Sequence, residues 1–117
     1  MNEFQELGKK VRRFAEERDW AQFHSPKNLS MALAVECAEL MEHFQWLTES
    51  QSRKLGTKKL REVKKELADV QIYLIRLSQA LSIDLMSASR KKLVDNARKY
   101  PVSKVRGSAK KYTELRK

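Results

Sequence analysis

The chain of 117 residues is poor in the residues that break helices and form tight turns, with only 3 Gly and 2 Pro. An all-β sandwich needs many turns, so this scarcity argues against that fold class. The single cysteine, Cys37, excludes an internal disulfide, and its apolar neighbours predict a small buried thiol on a helix wall. No uncharged apolar stretch reaches the length of a membrane span, and residues 1–10 lack the apolar core of a signal peptide. We therefore expect a cytoplasmic protein without membrane contact.

Positive charge is concentrated toward one end of the chain. Lys and Arg number 25 against 15 Asp and Glu, and eleven of the 25 lie at positions 90–117, where only Asp95 and Glu114 are acidic. A basic tail suits nucleic acid, a membrane surface or a small polyphosphate. A solvated terminus without a ligand is the alternative. We divide the chain into a helical domain at 1–100 and a basic tail at 101–117.

Apolar spacing predicts four helices and an all-α fold. The first runs from about Glu3 to Asp19 and carries one apolar stripe. The second, Leu29 to Leu47, is apolar nearly all round, which is typical of a helix buried on several sides. The third, Lys59 to Leu81, keeps a 3-4 alternation over three heptads, the pattern of a helix packed along its length. The fourth runs from the N-cap Asp84 to Lys99, and Tyr100-Pro101 ends it.

The segments between these helices are short and polar. Either Ser25, which precedes Pro26, or Asn28 is expected to cap the second helix. The polar connection at 48–58 favours antiparallel packing of the second and third helices. The segment 101–117 is expected to be irregular. The sequence thus predicts a four-helix bundle, and its second helix needs more partners than one small chain supplies.

Four acids interrupt the two most apolar helices, as Glu36-x-x-Glu39 and Glu66-x-x-Asp69. Carboxylates three positions apart project from the same face of a helix. Inside an apolar bundle they would repel each other and lose hydration. A hard divalent cation would compensate them, and magnesium prefers oxygen ligands. The alternative is two exposed acid pairs that form surface salt bridges with Lys64, Lys65 or Arg76.

A di-iron carboxylate site is the rival metal prediction. That site uses Glu-x-x-His on two helices. His43 lies four positions after Glu39, and the third helix has no histidine. The spacing therefore favours magnesium over iron.

Aromatic and basic side chains accompany the acids. Flat rings near a metal would stack on a base, or they would complete the core at the ends of the bundle. His24 would donate to a base or a phosphate, or cap the second helix. A face of the fourth helix would hold phosphates, or it would be an ordinary solvated face. These candidate substrate-binding residues are Trp20, His24, Trp46, Tyr73, Lys92, Asn96 and Lys99.

Motifs for other phosphate chemistry are missing from the sequence. It has no P-loop, no Gly-rich phosphate cradle, no zinc-ligand spacing and no serine nucleophile motif. Any phosphate chemistry would therefore use metal and water.

Four runs carry a resemblance to a known family: ERDWAQFHSPKNLSMALAVECAELMEHFQW, KKELADVQIYL, DNARKYPV and RGSAKKYTEL. With the paired motif E-x-x-E…E-x-x-D, they resemble the all-α nucleoside triphosphate pyrophosphatases, most of all the MazG-like, dCTP-pyrophosphatase type. The resemblance implies hydrolysis of a (deoxy)nucleoside triphosphate, dCTP or a modified dNTP, to the monophosphate and pyrophosphate. It also implies Mg²⁺, with Mn²⁺ as a substitute, and a role in cleaning the nucleotide pool.

Carried over by position, the resemblance makes Glu36, Glu39, Glu66 and Asp69 the metal ligands. It likewise implies a nucleotide pocket with Trp20, His24, Trp46 and Tyr73, and phosphate contacts from Lys92, Asn96 and Lys99. Either Glu36 or Glu39 would act as the general base. Val11 stands where dCTP-specific relatives can carry a substrate-contacting histidine, so the preferred base stays open. The resemblance and the apolar second helix together predict a homo-oligomer, a dimer or a tetramer built as a dimer of dimers.

A non-catalytic module that binds nucleic acid or a protein partner is the alternative function. It would explain the basic tail, and it would bind nucleic acid with steep salt dependence and without turnover. It leaves the acid pairs in apolar helices unexplained.

Overall fold

A computed structural model describes residues 1–115, and these residues form helices and turns without a β-strand. The all-α prediction is confirmed for this part of the chain. Arg116 and Lys117, the last residues of the predicted basic tail, lie outside the described residues. The α-helices are α1 Glu3–Glu17, α2 Pro26–Glu42, α3 Glu49–Ser52, α4 Thr57–Ala80, α5 Leu85–Lys99 and α6 Val102–Val105, with 3₁₀ turns at Ala21–Phe23 and Tyr112–Glu114.

Side-chain caps fix where the first two helices begin. The backbone N–H of Gln5 donates to the Asn2 side chain at 2.8 Å and opens α1. Helix α1 ends at Glu17, two residues early, and Asp19 takes a positive φ of 53°. Ser25 caps α2 by accepting from the backbone N–H of Asn28 at 3.1 Å, and Pro26 follows as the first helical residue. Of the two predicted caps, Ser25 is the one that the structure uses.

The structure differs from the prediction in three other segments. Helix α2 ends at Glu42, and turns at 43–46 replace the predicted continuation to Leu47. The predicted connection at 48–58 contains α3, which begins with a capping box between Thr48 and Gln51. The expectation of an irregular tail is wrong where α6 and the second 3₁₀ turn form.

The fourth helix begins as predicted. The Asp84 carboxylate accepts from the backbone N–H of Ser87 at 3.0 Å, so Asp84 is the N-cap of α5. Asp84 also opens the second of two compact units, and the first unit is Met1–Ile83. Within the second unit, Tyr112 packs edge-on against Tyr100 at 6.2 Å between ring centroids.

Within Met1–Ile83, α2 and α1 both pack against the long helix α4. His43 near the end of α2 contacts Lys59 at the start of α4, while His24 before α2 contacts Arg76 near the end of α4. These two contacts show that α2 and α4 are antiparallel, as predicted. The buried apolar residues are Val11, Ala15, Leu29, Val63 and Ile75.

The single chain covers only one side of α2. Leu29 is the one buried residue that the structure describes in this helix, and Met31, Val35 and Met41 are exposed. Cys37 is exposed too, so its predicted burial is wrong within one chain. The cause is that α4 packs along one face of α2 and leaves the opposite apolar face open. The four-helix bundle stays a prediction.

Among the described residues, none of the helices combines the length and the apolar character needed to cross a membrane.

Candidate metal and nucleotide site

Three of the four predicted metal ligands meet between α2 and α4. Carboxylate oxygens of Glu36, Glu39 and Glu66 lie within 4.8 Å of one another. Glu36 and Glu39 are one turn apart on α2, and the antiparallel packing of α4 brings Glu66 to the same level. The fourth acid, Asp69, is more exposed and lies one turn beyond Glu66.

The cluster is electrostatically strained. Glu36 Oε2 and Glu66 Oε2 are shielded from solvent, and no described residue donates a hydrogen bond to either atom. Burial, together with the neighbouring carboxyl groups of Glu66, Glu39 and Asp69, raises the pKa of Glu36 from 4.5 to about 7. With its pKa near 7, Glu36 carries a proton in a large share of the metal-free molecules at neutral pH.

The two orphaned oxygens and the all-carboxylate donor set fit a hard divalent cation such as Mg²⁺ or Mn²⁺. The three acids would supply the ligands, and the charge of Asp69 acts on the same cluster. His43 lies apart from the cluster and instead contacts Lys59 at 3.2 Å. This arrangement does not match the Glu-x-x-His pattern of a di-iron site.

Asp69 also lines a cavity of about 340 Å³. Its walls come from α1, from the loop before α2 and from α4, and they are mainly apolar. Trp20 contacts Phe14 edge-on at 5.7 Å and His24 at 6.3 Å between ring centroids. The size and the aromatic wall suit one heterocyclic base. The lining residues include Val11, Phe14, Trp20, His24, Tyr73 and Arg76.

Three predicted binding residues, Trp20, His24 and Tyr73, thus line one cavity. Val11, buried in the same wall, presents only methyl groups. Whether these residues bind a nucleotide stays a prediction.

Trp46 does not line this cavity. It lies in the turns after α2 with 85% of its surface exposed. A tryptophan that exposed needs a further covering surface before it can hold a base. Its binding role stays a prediction.

The three candidates on α5 belong to the second compact unit. Lys92 and Asn96 line a shallow pocket of that helix together with Leu93. The Lys99 ammonium lies 5.0 Å from the ring centroid of Tyr112, a cation–π contact. Their role in binding phosphate stays a prediction.

Sequence reasoning missed the buried guanidinium of Arg76. Its Nε donates to His24 Nδ1 at 3.2 Å, and its Nη1 donates to Gln79 Oε1 at 2.9 Å. A signal was present, because Arg76 continues the face of α4 that carries Asp69 and Tyr73. The sequence predicts Arg76 only as a possible partner in a surface salt bridge.

Comparisons with known proteins agree with this geometry. The chain is 44% identical to human dCTP pyrophosphatase 1 and 46% identical to the mouse protein, each over 104 residues and 87% of this chain. It spans only 61% of the length of these relatives. A crystal structure of a pyrophosphatase from Archaeoglobus fulgidus superposes with a TM-score of 0.76 and 37% identity, over 86% of this chain and 94% of that one. A profile of the MazG-like family matches residues 31–115, and the chain belongs to that family.

Proposed function

We propose that this chain hydrolyses a (deoxy)nucleoside triphosphate to the monophosphate and pyrophosphate. The observation that carries the proposal is the convergence of three carboxylates from facing helices, with Asp69 linking them to a cavity of base size. The carboxylates suit a cation that binds a triphosphate, and the cavity suits the base at the other end of the same molecule.

The chain's own residues divide the work between these two ends. Trp20 offers a flat face to the base, and His24 and Tyr73 offer polar atoms beside it. Bound Mg²⁺ would neutralise triphosphate charge and favour ionisation of a water. Glu36, Glu39, Glu66 and Asp69 would hold that metal.

Glu36 or Glu39 accepts the proton of the water that attacks the α-phosphorus, after which pyrophosphate leaves. Both side chains belong to the cluster, so either one is placed to act as the base. Lys92, Asn96 and Lys99 would stabilise the leaving pyrophosphate through charge and amide donation.

Similarity to two mammalian dCTP pyrophosphatases supports dCTP, or a dNTP with a modified base, as the substrate. The activity would serve to clear such nucleotides from the cytoplasmic pool. The apolar wall at Val11 leaves the choice among bases to the remaining polar atoms of the cavity.

We also propose a homo-oligomer, either a dimer or a dimer of dimers. Exposed Met31, Val35 and Met41 on α2 support it, because an apolar face of this length is stable in water only when covered. A second copy would cover that face, and it would also bring a surface near Trp46.

Pyrophosphate release tests the proposal directly. The four dNTPs and CTP are incubated with Mg²⁺, with Mn²⁺ or with EDTA, and pyrophosphate and orthophosphate are measured separately. We expect equal amounts of monophosphate and pyrophosphate, fastest with dCTP or its modified forms, and no turnover in EDTA. Orthophosphate as the first product, or turnover in EDTA, would contradict it.

A nucleic-acid-binding module is the second candidate, favoured by the eleven basic residues at 90–117. It predicts binding to DNA or RNA that weakens steeply with salt, without pyrophosphate release. Pyrophosphate release and the salt dependence of nucleic-acid binding, measured on the same purified protein, therefore distinguish the two functions.

A further inference from the structure

Arg76 is the one buried charged residue in the described part of the chain, with 9% of its surface exposed. A hydrogen-bonded chain ties it to α1: Arg76 donates to Gln79, and Gln79 Nε2 donates to the backbone carbonyl of Gly8 at 2.8 Å. The remaining hydrogen bond of the guanidinium goes to the imidazole of His24. The guanidinium is therefore held in place from one side and directed at His24 on the other.

This contact determines where His24 carries its proton. A guanidinium only donates, so His24 Nδ1 must accept with its lone pair. The neutral ring then has its proton on Nε2. A doubly protonated ring would direct an N–H at the Arg76 N–H across 3.2 Å and oppose two positive charges.

The surroundings of His24 keep the ring neutral. Burial lowers the pKa of His24, and the positive charge of Arg76 lowers it further. On α1, Arg12 opposes the charge of Arg76 and Glu16 favours it. No described carboxylate forms a salt bridge with either His24 or Arg76. The other ionisable groups on the cavity wall are Lys10, Asp69 and Tyr73.

His24 Nε2–H has no acceptor among the described residues, and the ring lines the base-sized cavity. We propose that Arg76 is a positioning residue that holds His24 as an Nε2–H donor, so that the cavity selects a base with a hydrogen-bond acceptor there. A ring carbonyl oxygen or an unprotonated ring nitrogen of a pyrimidine supplies such an acceptor. The inference rests on the proposed function for its ligand, but the proton position is a property of the free protein.

Nitrogen NMR of the ligand-free protein tests the proton position. The chain has only 2 His, so ¹⁵N-labelled imidazoles give two ring systems, and His43→Gln identifies them. We expect His24 in the wild type to be neutral at pH 7 with its proton on Nε2. A proton on Nδ1, or a mixture of both forms, would overturn the proposal without reference to catalysis.

Two substitutions separate donation from charge. In Arg76→Gln, the amide nitrogen occupies the same place along the side chain as arginine Nε, so a donor is kept and the charge is lost. In Arg76→Met, a methyl group occupies that place and both are lost. We expect Arg76→Gln to keep the Nε2–H form, Arg76→Met to give a mixture, and the pKa of His24 to rise in both.

Lys59→Met is the matched control, because Lys59 contacts the other histidine, His43, at 3.2 Å. It should change the resonances of His43 and leave those of His24 unchanged. If Arg76→Met does not fold, the wild-type proton position and Arg76→Gln still decide the proposal. If the ring nitrogen resonances of His24 in Arg76→Met are the same as in the wild type, the proposal is refuted.

Titration with dCMP tests the ligand half of the proposal. We expect dCMP to move the His24 Nε2 resonance in the wild type and to bind Arg76→Met about tenfold more weakly, the size of one hydrogen bond. Arg76→Gln should bind within about threefold of the wild type. For turnover of dCTP, KM should rise most in Arg76→Met and little in Arg76→Gln, and kcat should change less than KM. An unmoved His24 resonance at saturating dCMP would reject base recognition by this ring, even if turnover occurs.

Discussion

A carboxylate oxygen of Glu36 lies within 4.8 Å of one of Glu66, although the two side chains come from different helices. Each residue also has an oxygen that is shielded from water and lacks a hydrogen-bond donor among the described residues. Like charges at this distance oppose folding unless a proton or a cation compensates them. Without a cation, the packing of α2 on α4 therefore carries an electrostatic cost at the site that is proposed to carry function.

Without metal, stability should fall as the pH rises through the range set by Glu36. Its pKa is raised from 4.5 to about 7, so the folded state binds more protons than the unfolded state between these values. The stabilising proton is fully present below pH 4.5 and is lost as the pH passes about 7. Thermal melts in EDTA from pH 5 to 8 measure this effect. The lowered pKa of His24 acts in the opposite direction below about pH 6.5, so the effect of Glu36 is the part of the pH dependence that Glu36→Gln loses. An equal pH dependence of Tm in the wild type and in Glu36→Gln would contradict it.

Glu36→Gln removes one charge at this contact while keeping the shape of the side chain. We expect the metal-free variant at pH 8 to melt roughly 4–8 °C above the wild type, the shift that about 1 kcal/mol gives in a small domain. The same variant should lose turnover, which is the usual exchange of stability for function at a strained site. Glu42→Gln, at the exposed last residue of α2, is the control and should change neither quantity.

Magnesium should stabilise the wild type more at pH 8 than at pH 5.5. A proton on Glu36 competes with the metal, because the carboxylate must be ionised to act as a ligand. Melts with saturating Mg²⁺ and with EDTA at both pH values measure the difference. An equal shift at both values, or none at all, would mean that this cluster does not hold the metal.

Replacing Glu39 or Asp69 by Ala should lower kcat/KM by at least about 100-fold and leave the helical circular dichroism intact. Glu39 is in the cluster of three, whereas Asp69 is more exposed and lines the cavity. Glu42→Ala again serves as the control. Near-wild-type turnover in either variant would remove that residue from the metal site.

Local rules were enough to place the helices and the acid pairs. The spacing Glu36-x-x-Glu39 and a short connection already implied that the facing acids would meet, and the structure brings Glu66 to them. Caps were readable for the same reason, since Ser25 and Asp84 act on backbone groups within three residues.

Contacts between distant parts of the chain could not be predicted from the sequence. The bond from Arg76 to His24 depends on how far α4 extends beside the loop before α2, and apolar spacing does not record this distance. The burial of Cys37 and the rest of α2 was overestimated, because an apolar pattern predicts a partner surface but not which molecule supplies it.

The exposed leucines in the 3-4 apolar pattern of α4 should form an interface between copies of the chain. Leu60, Leu67 and Leu74 recur every seven residues and stay exposed, while Val63 of the same 3-4 pattern is buried. We expect Leu60→Asp to shift the protein toward smaller species in sedimentation velocity without loss of helicity. Val102→Asp, also at an exposed apolar residue but on α6, is the control. A wild type that sediments as a stable monomer at micromolar concentration would contradict the interface.

Trp20 and Trp46 should differ in how they affect nucleotide binding, because only Trp20 lines the cavity of a single chain. Loss of one stacked ring costs about 1–3 kcal/mol, so Trp20→Ala should raise the Kd of dCMP by roughly 5- to 150-fold. If Trp46 completes the site only in the oligomer, Trp46→Ala should weaken binding in the wild-type background and have no effect in Leu60→Asp. Fluorescence titration of the wild type, the three single variants and the Trp46→Ala/Leu60→Asp double variant measures both effects. Equal losses from Trp46→Ala in both backgrounds would show that this ring acts within one chain, and no loss from Trp20→Ala would exclude the cavity as the base site.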